Sequence, residues 1–195
     1  MRLLMIGAPG AGKGTQAVRI AQHFRVTHIS SGDLLRKHVT EQTSIGKQIS
    51  RYMEAGDLVP DSVVMDLLRK PIVSANAAGG YVLDGFPRTL EQAQAAYKVA
   101  VDLGVAVQVV VHLVVPHDEL VRRLLERGAD SGRSDDNLET IEHRLQVYDA
   151  KTLPMLDYYA EREQLITVDG ARAVDEVSQG VTTALEDLRG MTAES

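Results

Sequence analysis

The stretch GAPGAGKGTQ, residues 7–16, decides how the rest of the chain is read. Before it runs RLLMIGA, an apolar segment that reads as a buried strand. After it GKGTQAVRIAQHF reads as an amphipathic helix, with Val18, Ile20, Ala21 and Phe24 expected towards the core. A strand, a glycine-rich turn and a helix are what a phosphate-binding loop requires. The glycines let backbone N–H groups point at phosphate oxygens, the helix N-terminus adds positive potential, and a lysine supplies a point charge. Gly7, Gly12 and Lys13 match G-x-x-x-x-G-K. The Ser or Thr that normally follows, and whose hydroxyl holds Mg²⁺, is replaced by Gly14; the first hydroxyl comes one step late, at Thr15. Either the site is damaged or its labour is divided differently.

Outward from the loop, short β runs alternate with longer helical ones, the pattern of a parallel sheet covered by helices. VTHIS (26–30), GYVLDGF (80–86) and LITVD (165–169) read as strands. VAVQVVVHLVV (105–115) is the most apolar strand and is expected at the sheet centre. SGDLLRKHV starts a helix with Ser31 as its expected N-cap, and SIGKQISRYMEAG is closed by Gly56. Helices over 60–75, 89–104 and 116–128 follow, then a long one over 138–163 expected to bend at Pro154, and a last one over 174–188. The fold class is α/β, doubly wound, with about five strands. Several helices stand between the second and third strands where one would suffice, so residues 30–59 are expected to form a small helical lobe off the sheet.

Composition narrows the function. A chain of 195 residues suits one domain with a real core. Its net charge of −6 argues against wholesale nucleic-acid binding. With no cysteine, disulfides, thiolate chemistry and cysteine-ligated zinc are excluded, and a reducing cytoplasm is the expected location. No run is long and apolar enough to span a membrane. The six histidines lack the H-x-x-x-H spacing of a helical metal site.

GAPGAGKGTQ, SSGDLLR and LDGFPRTLEQ, followed by RGADSGRSDDNLETIEHRL and VDGARAVDEV, come in an order and spacing that resemble the adenylate kinases over nearly the whole chain. The resemblance implies a P-loop five-stranded parallel sheet of order 2-3-1-4-5 flanked by helices. It implies one kinase domain, 1–195, containing a nucleoside-monophosphate-binding lobe at 30–59 and a short lid at 127–133. The reaction implied is ATP + AMP ⇌ 2 ADP with Mg²⁺, by direct in-line transfer. It also accounts for the odd loop, because the family is similar in having Gly after the lysine. The metal is then held through phosphates and water, with no direct protein ligand, and with Asp84 and Thr15 nearby. Only GADSG separates Arg127 from Arg133, as in short-form members, so no structural zinc is implied. The implied partners are ATP, AMP and ADP, with no nucleic acid and no membrane, and the implied state is a monomer.

Carried over by position, the donor site comprises Gly10, Ala11, Gly12, Lys13, Gly14 and Thr15, with Arg123, Arg127 and Arg172. The acceptor site comprises Ser31 and Arg36, the backbone of Asp57, Leu58 and Val59, then Gly85, Phe86, Pro87, Arg88 and Gln92, with Arg133 and Arg144. Lys13 would stabilise the β/γ oxygens, and Arg88, Arg133 and Arg144 would bridge the acceptor and transferring phosphates. Arg123 would stack on the donor adenine and reach donor phosphates with Arg127. Asp135 and Asp136 would hold Arg133 and its neighbours.

The residues themselves make chemical sense of these roles. Guanidinium groups grip phosphate oxygens bidentately and stay charged when partly desolvated. Arg123 and Arg127, four apart, share a face at the edge of a stripe formed by Leu120, Val121, Leu124 and Leu125, with Arg122 nearer the opposite side. An amide such as Gln92 offers adenine both a donor and an acceptor, as a carboxylate cannot. Taken locally, Ser31 reads equally as a helix cap, Arg88 as a surface arginine, Gln92 as a solvated helix residue, and Asp135–Asp136 as a helix N-terminal pair. UMP/CMP kinases share the loop and arginines but have Ala near position 31 and Asn after GFPR; Ser31 and Thr89 favour AMP. A GTPase-like switch needs N-K-x-D, and neither Asn76 nor Asn137 is followed by Lys. A sensor without turnover would have lost Lys13 or the arginines, and all are present.

Overall fold

The middle strand of the sheet is β1 (Arg2–Gly7), the strand that carries the glycine-rich loop. It pairs in parallel with β3 (Tyr81–Asp84) on one side and β4 (Val109–Val114) on the other. β2 (Thr27–Ser30) lies outside β3 and β5 (Gln164–Asp169) outside β4, giving the order β2-β3-β1-β4-β5. The computed structural model describes residues 1–131 and 135–193. β4 is thus interior but not central, contrary to the expectation from its apolarity. Its apolarity reflects cover on both faces, a condition it shares with β1. Leu3 and Leu4 are adjacent, point to opposite faces and are both fully buried, as are Val110 and Val111. Each such side chain contributes about 1.5–3 kcal/mol of hydrophobic stabilisation.

The helices are α1 (Lys13–Phe24), α2 (Ser31–Thr40), α3 (Ser44–Ala55), α4 (Asp61–Ala77), α5 (Leu90–Asp102), α6 (His117–Ser131), α7 (Leu138–Val147), α8 (Met155–Ala160) and α9 (Val174–Ala193). α1 packs against α9 and β3, and α2 packs against α3 and α4. Ala17, Ile20 and Ala21 form the buried face of α1 with Gln16, while Val18 is 41% exposed. Val18 lies about 100° round the helix from Ala17, outside the stripe. Leu125 is out of its expected place for the same reason: Leu120 and Leu124 are buried and Leu125 faces outwards.

Two further expectations are corrected. The cap of α2 is Ser30, not Ser31; the Ser30 side chain accepts from the Asp33 N–H at 3.2 Å. Ser31 is already helical and is buried. The long C-terminal helix is interrupted before Pro154 rather than bent at it. α7 ends at Val147, a π-helical turn spans Tyr148–Thr152, and α8 begins after Pro154. Proline lacks an N–H and its ring crowds the carbonyl four residues back, here Ala150, inside the widened turn.

Because every strand runs the same way, all five end on one edge of the sheet. Gly7, Ser30, Asp84, Val114 and Asp169 are the last residues of their strands. Ligands of open α/β sheets bind in the crevice outside such an edge.

Candidate active site

Two positive backbone angles build the loop: φ is 84° at Gly10 and 91° at Gly12. A β-carbon on Gly10 would also lie 3.0 Å from the Leu120 carbonyl oxygen and from Leu124 Cγ on α6, so a side chain there meets both strain and collision. Gly12 caps α1 without any side-chain cap bond, and the first turn of α1 holds no acidic residue. The positive end of this helix is therefore uncompensated by its own side chains, the condition for receiving an anion. Lys13 Nζ donates to the carbonyls of Gly7 (2.7 Å) and Ala8 (3.0 Å). Burial lowers its pKa to about 8; Asp84 opposes that shift, and Arg88, Arg144 and Arg127 add to it.

Asp84 closes β3 facing this loop. Its Oδ2 lies 3.6 Å from the point where a β-carbon on Gly14 would sit. Its Oδ1 is buried with no hydrogen-bond partner among the described residues. Among those residues no three His, Cys, Asp or Glu side chains cluster to hold a metal ion directly.

A cleft of about 710 Å³ opens over the loop. Gly10, Gly12, Lys13, Gly14 and Thr15 line its floor, and Arg123, Arg127 and Arg172 line the far wall. Ala11 is buried beneath, and its N–H bonds back to Ala8. A second hollow lies beside α2 and α3. Ser31, Arg36, Asp57, Leu58 and Val59 line one side of it; Gly85, Phe86 and Gln92 line the other. Pro87 lines a third hollow with Lys13 and Tyr148. Gly85, Arg88 and Arg144 border all three. Arg133 lies outside the described residues, as does the end of the expected 127–133 lid, where α6 is helical up to Ser131.

The cations are held by internal oxygens. Arg88 Nε donates to the Gly85 carbonyl at 2.7 Å, and Thr152 Oγ1 donates to the Arg88 carbonyl. Burial lowers the Arg88 pKa and Arg144 lowers it further. Asp136, whose side chain is fully buried, accepts from Arg127 Nε and Nη2 at 2.7 Å each and from Arg144 Nη1 at 2.9 Å. Asp135 accepts from Arg144 at 3.0 Å. Arg123 donates to Glu119 at 2.7 Å and to the Gly170 carbonyl at 2.9 Å. Bonds from Arg122 and Arg123 hold the Glu119 carboxyl down at about 2. Arg36 pairs with Asp33, and Arg172, mostly exposed, pairs with Asp169 at 3.2 Å.

Ser31 Oγ is buried with no hydrogen-bond partner among the described residues and sits beside Gly85 in the second hollow. Gly56, which closes α3 at a φ of 77°, lies against α7: a β-carbon there would be 2.9 Å from Arg144 Cγ and Thr140 Cγ2. Asp57 Oδ1 accepts from His143 at 2.8 Å. Sequence reasoning missed Glu119, although its spacing to Arg122 and Arg123 on one helix was a readable signal. It also missed the apolar wall of Leu35, Met53 and Val64, whose pattern reads simply as core.

The family model described as adenylate kinase matches residues 5–164. An adenylate kinase of Leptospira biflexa is 45% identical over 184 residues, covering 94% of this chain and 99% of its own. One of Thermobifida fusca is 44% identical over 186 residues, covering 95% and 98%. One of Kocuria rhizophila is 43% identical over 185 residues, again covering 95% and 98%.

Proposed function

The chain belongs to the adenylate kinase family, nucleoside monophosphate kinases that transfer phosphoryl groups among adenine nucleotides, and on that premise we propose how its residues divide the reaction ATP + AMP ⇌ 2 ADP. ATP occupies the large cleft over the loop, and AMP occupies the hollow beside α2 and α3. The observation that carries this reading is that Gly85, Arg88 and Arg144 border both. Two substrates that exchange a phosphoryl group must meet at shared cations.

Phosphoryl transfer needs alignment and positive charge more than covalent chemistry. The N–H groups of Gly12, Gly14 and Thr15 and the Lys13 ammonium take the donor phosphates. Arg123 and Arg127 reach the donor from α6, and Arg172 from the loop after β5. Arg36 and Arg88 hold the acceptor phosphate, whose oxygen is itself the nucleophile. Arg144 lies between, and Arg133 is assigned to the same group by position in the sequence. Ser31 and Gln92 read the adenine edge, and the backbone of Asp57, Leu58 and Val59 walls its other side. Magnesium, arriving with ATP, supplies charge neutralisation on the phosphates. Asp84 Oδ1, buried without a hydrogen-bond partner among the described residues, and the nearby Thr15 hydroxyl fit residues that would hold its water shell. A structural zinc is not part of the proposal, since a chain without cysteine cannot build a cysteine-ligated site.

The acceptor hollow encloses only about 60 Å³, well below ordinary ligand sites, so AMP enters by displacing the 30–59 lobe. Closure of that lobe and of the 127–133 lid would then exclude water and suppress hydrolysis of ATP. We assign the enzyme to the cytoplasm as a monomer; no described helix is long and apolar enough to cross a membrane.

The test is formation of ADP from Mg·ATP with AMP, UMP, CMP or GMP as sole acceptor. Strong turnover with AMP alone is expected. Preference for UMP or CMP would overturn the acceptor assignment, and binding of ATP without turnover on any acceptor would overturn the reaction.

A further inference from the structure

Gln92 carries the proposed choice of adenine, and its amide has two internal partners. Oε1 accepts from the Arg88 backbone N–H at 2.7 Å, and Nε2 donates to Asp61 Oδ1 at 2.6 Å. Gln92 stands in the first turn of α5, capped by Thr89, and is only 3% exposed; Asp61 opens α4. A side-chain amide is a rotor that could present its oxygen and nitrogen either way round. Here the partners decide. A backbone N–H only donates and a carboxylate only accepts. Turning the amide over would set its NH₂ against the Arg88 N–H and its oxygen against the Asp61 carboxylate, leaving both contacts repulsive.

With the internal bonds made, Gln92 retains one N–H and one oxygen lone pair. Gln92 lines the acceptor hollow, and towards a base there its amide can offer a donor beside an acceptor in one sense only. Adenine presents acceptor N1 beside the donor N6 amine, which one sense of the amide matches. Guanine and hypoxanthine present donor N1–H beside acceptor O6, which needs the reverse. We infer that Asp61 is a specificity-determining positioning residue: its carboxylate acts with the Arg88 backbone N–H to hold the sense of the Gln92 amide, and so widens the gap between AMP and 6-oxopurine monophosphates. This rests on the acceptor assignment proposed above. A bond that merely pinned α5 to α4 would affect stability and leave base preference alone.

Three substitutions separate the two roles. Asp61→Asn keeps the shape but accepts the amide either way round. Asp61→Ala removes the partner, and Asp61→Glu keeps a carboxylate. The full chain is assayed with saturating Mg·ATP and with AMP or IMP as sole acceptor, and each variant is also melted. The AMP-over-IMP ratio of kcat/KM is expected to fall about tenfold in Asp61→Asn and Asp61→Ala. Most of that fall should come from a higher KM for AMP, with Asp61→Glu recovering part of the preference. A wild-type preference for AMP that survives within twofold in Asp61→Asn and Asp61→Ala, whatever their melting temperatures, overturns the assignment to Asp61. Asp61→Asn, being isosteric, decides the matter where Asp61→Ala loses the fold. A wild-type enzyme that does not prefer AMP to IMP would instead remove the reading of Gln92 beneath it.

Discussion

Replacing Asp136 by Asn should lower the thermal midpoint at pH 7 by roughly 6–12 °C. The carboxylate accepts three hydrogen bonds from two guanidinium groups while its own side chain is fully buried. Bonds to charged groups contribute about 1.5–3 kcal/mol each, which makes roughly 4–9 kcal/mol before compensation. Compensation is substantial. Arg127 and Arg144 keep side-chain exposures of 33% and 17%, so water takes up part of the loss, and Arg144 retains Asp135. A net cost near 3 kcal/mol follows, at the low end for breaking a buried pair. In a chain of 195 residues each kcal/mol moves the midpoint by about 2–4 °C. The pH dependence has a definite sign. Burial pushes the Asp136 carboxyl up, but Arg127 and Arg144 outweigh it and hold the folded pKa below the ordinary value. Its stabilisation is therefore present above an unfolded pKa of about 3.9 and is lost as pH falls through the depressed folded value. Circular-dichroism melts of both proteins across pH 3–8 test this. The gap should hold from neutrality down to about pH 5 and narrow below pH 4. Midpoints within 2 °C of each other at pH 7, or a gap that persists unchanged in acid, would refute the electrostatic account.

Lys13→Met should reduce kcat by about 100–1,000-fold, and an unaltered kcat with only KM changed would contradict a role in the transition state. Because burial holds the Lys13 pKa at about 8, ATP affinity in the native enzyme should weaken as pH rises through that value; calorimetry giving a constant Kd to pH 10 would refute it. For Arg88→Ala, kcat/KM for AMP should fall more than about 100-fold, and undiminished activity would remove its acceptor role. Gly56→Ala combines a positive φ with a collision against Arg144 and Thr140, so denaturant unfolding should show a loss of about 1–3 kcal/mol, and a loss below about 0.5 kcal/mol would mean that α7 yields.

What could be read from the sequence followed from local spacing. The loop, the five strands and the two serines at the start of α2 are written in runs of a few residues. Which serine caps the helix was not, because either hydroxyl can reach an N–H two or three residues on, and the buried place of Ser31 depends on Gly85 from another strand. Val18 and Leu125 are apolar and near the buried stripe, yet packing from other helices decides where the stripe ends. The π turn at Tyr148–Thr152 depends on how a proline is accommodated between two helices, which spacing does not encode. The pairing of Asp136 with Arg127 and Arg144 joins α6 and α7; the resemblance implied that the acidic pair holds neighbouring arginines, but local spacing did not say which. Asp61 and Gln92 are 31 residues apart, and nothing in either helix alone predicts their bond.

The internal partners of the cleft's cations have a consequence for cellular competition. Lys13 rests on two carbonyls, Arg88 on one, Arg123 on a carboxylate and carbonyls, and Arg127 and Arg144 on a shared carboxylate. At several of these cations an incoming phosphate oxygen therefore competes with an oxygen already there. Chloride or free phosphate meets one cation at a time and gains little from the trade. A nucleotide whose linked phosphates reach several at once makes the later exchanges intramolecular, with the advantage that tethering confers. The cleft can therefore stand amid a large excess of simple anions and remain open to the polyphosphate.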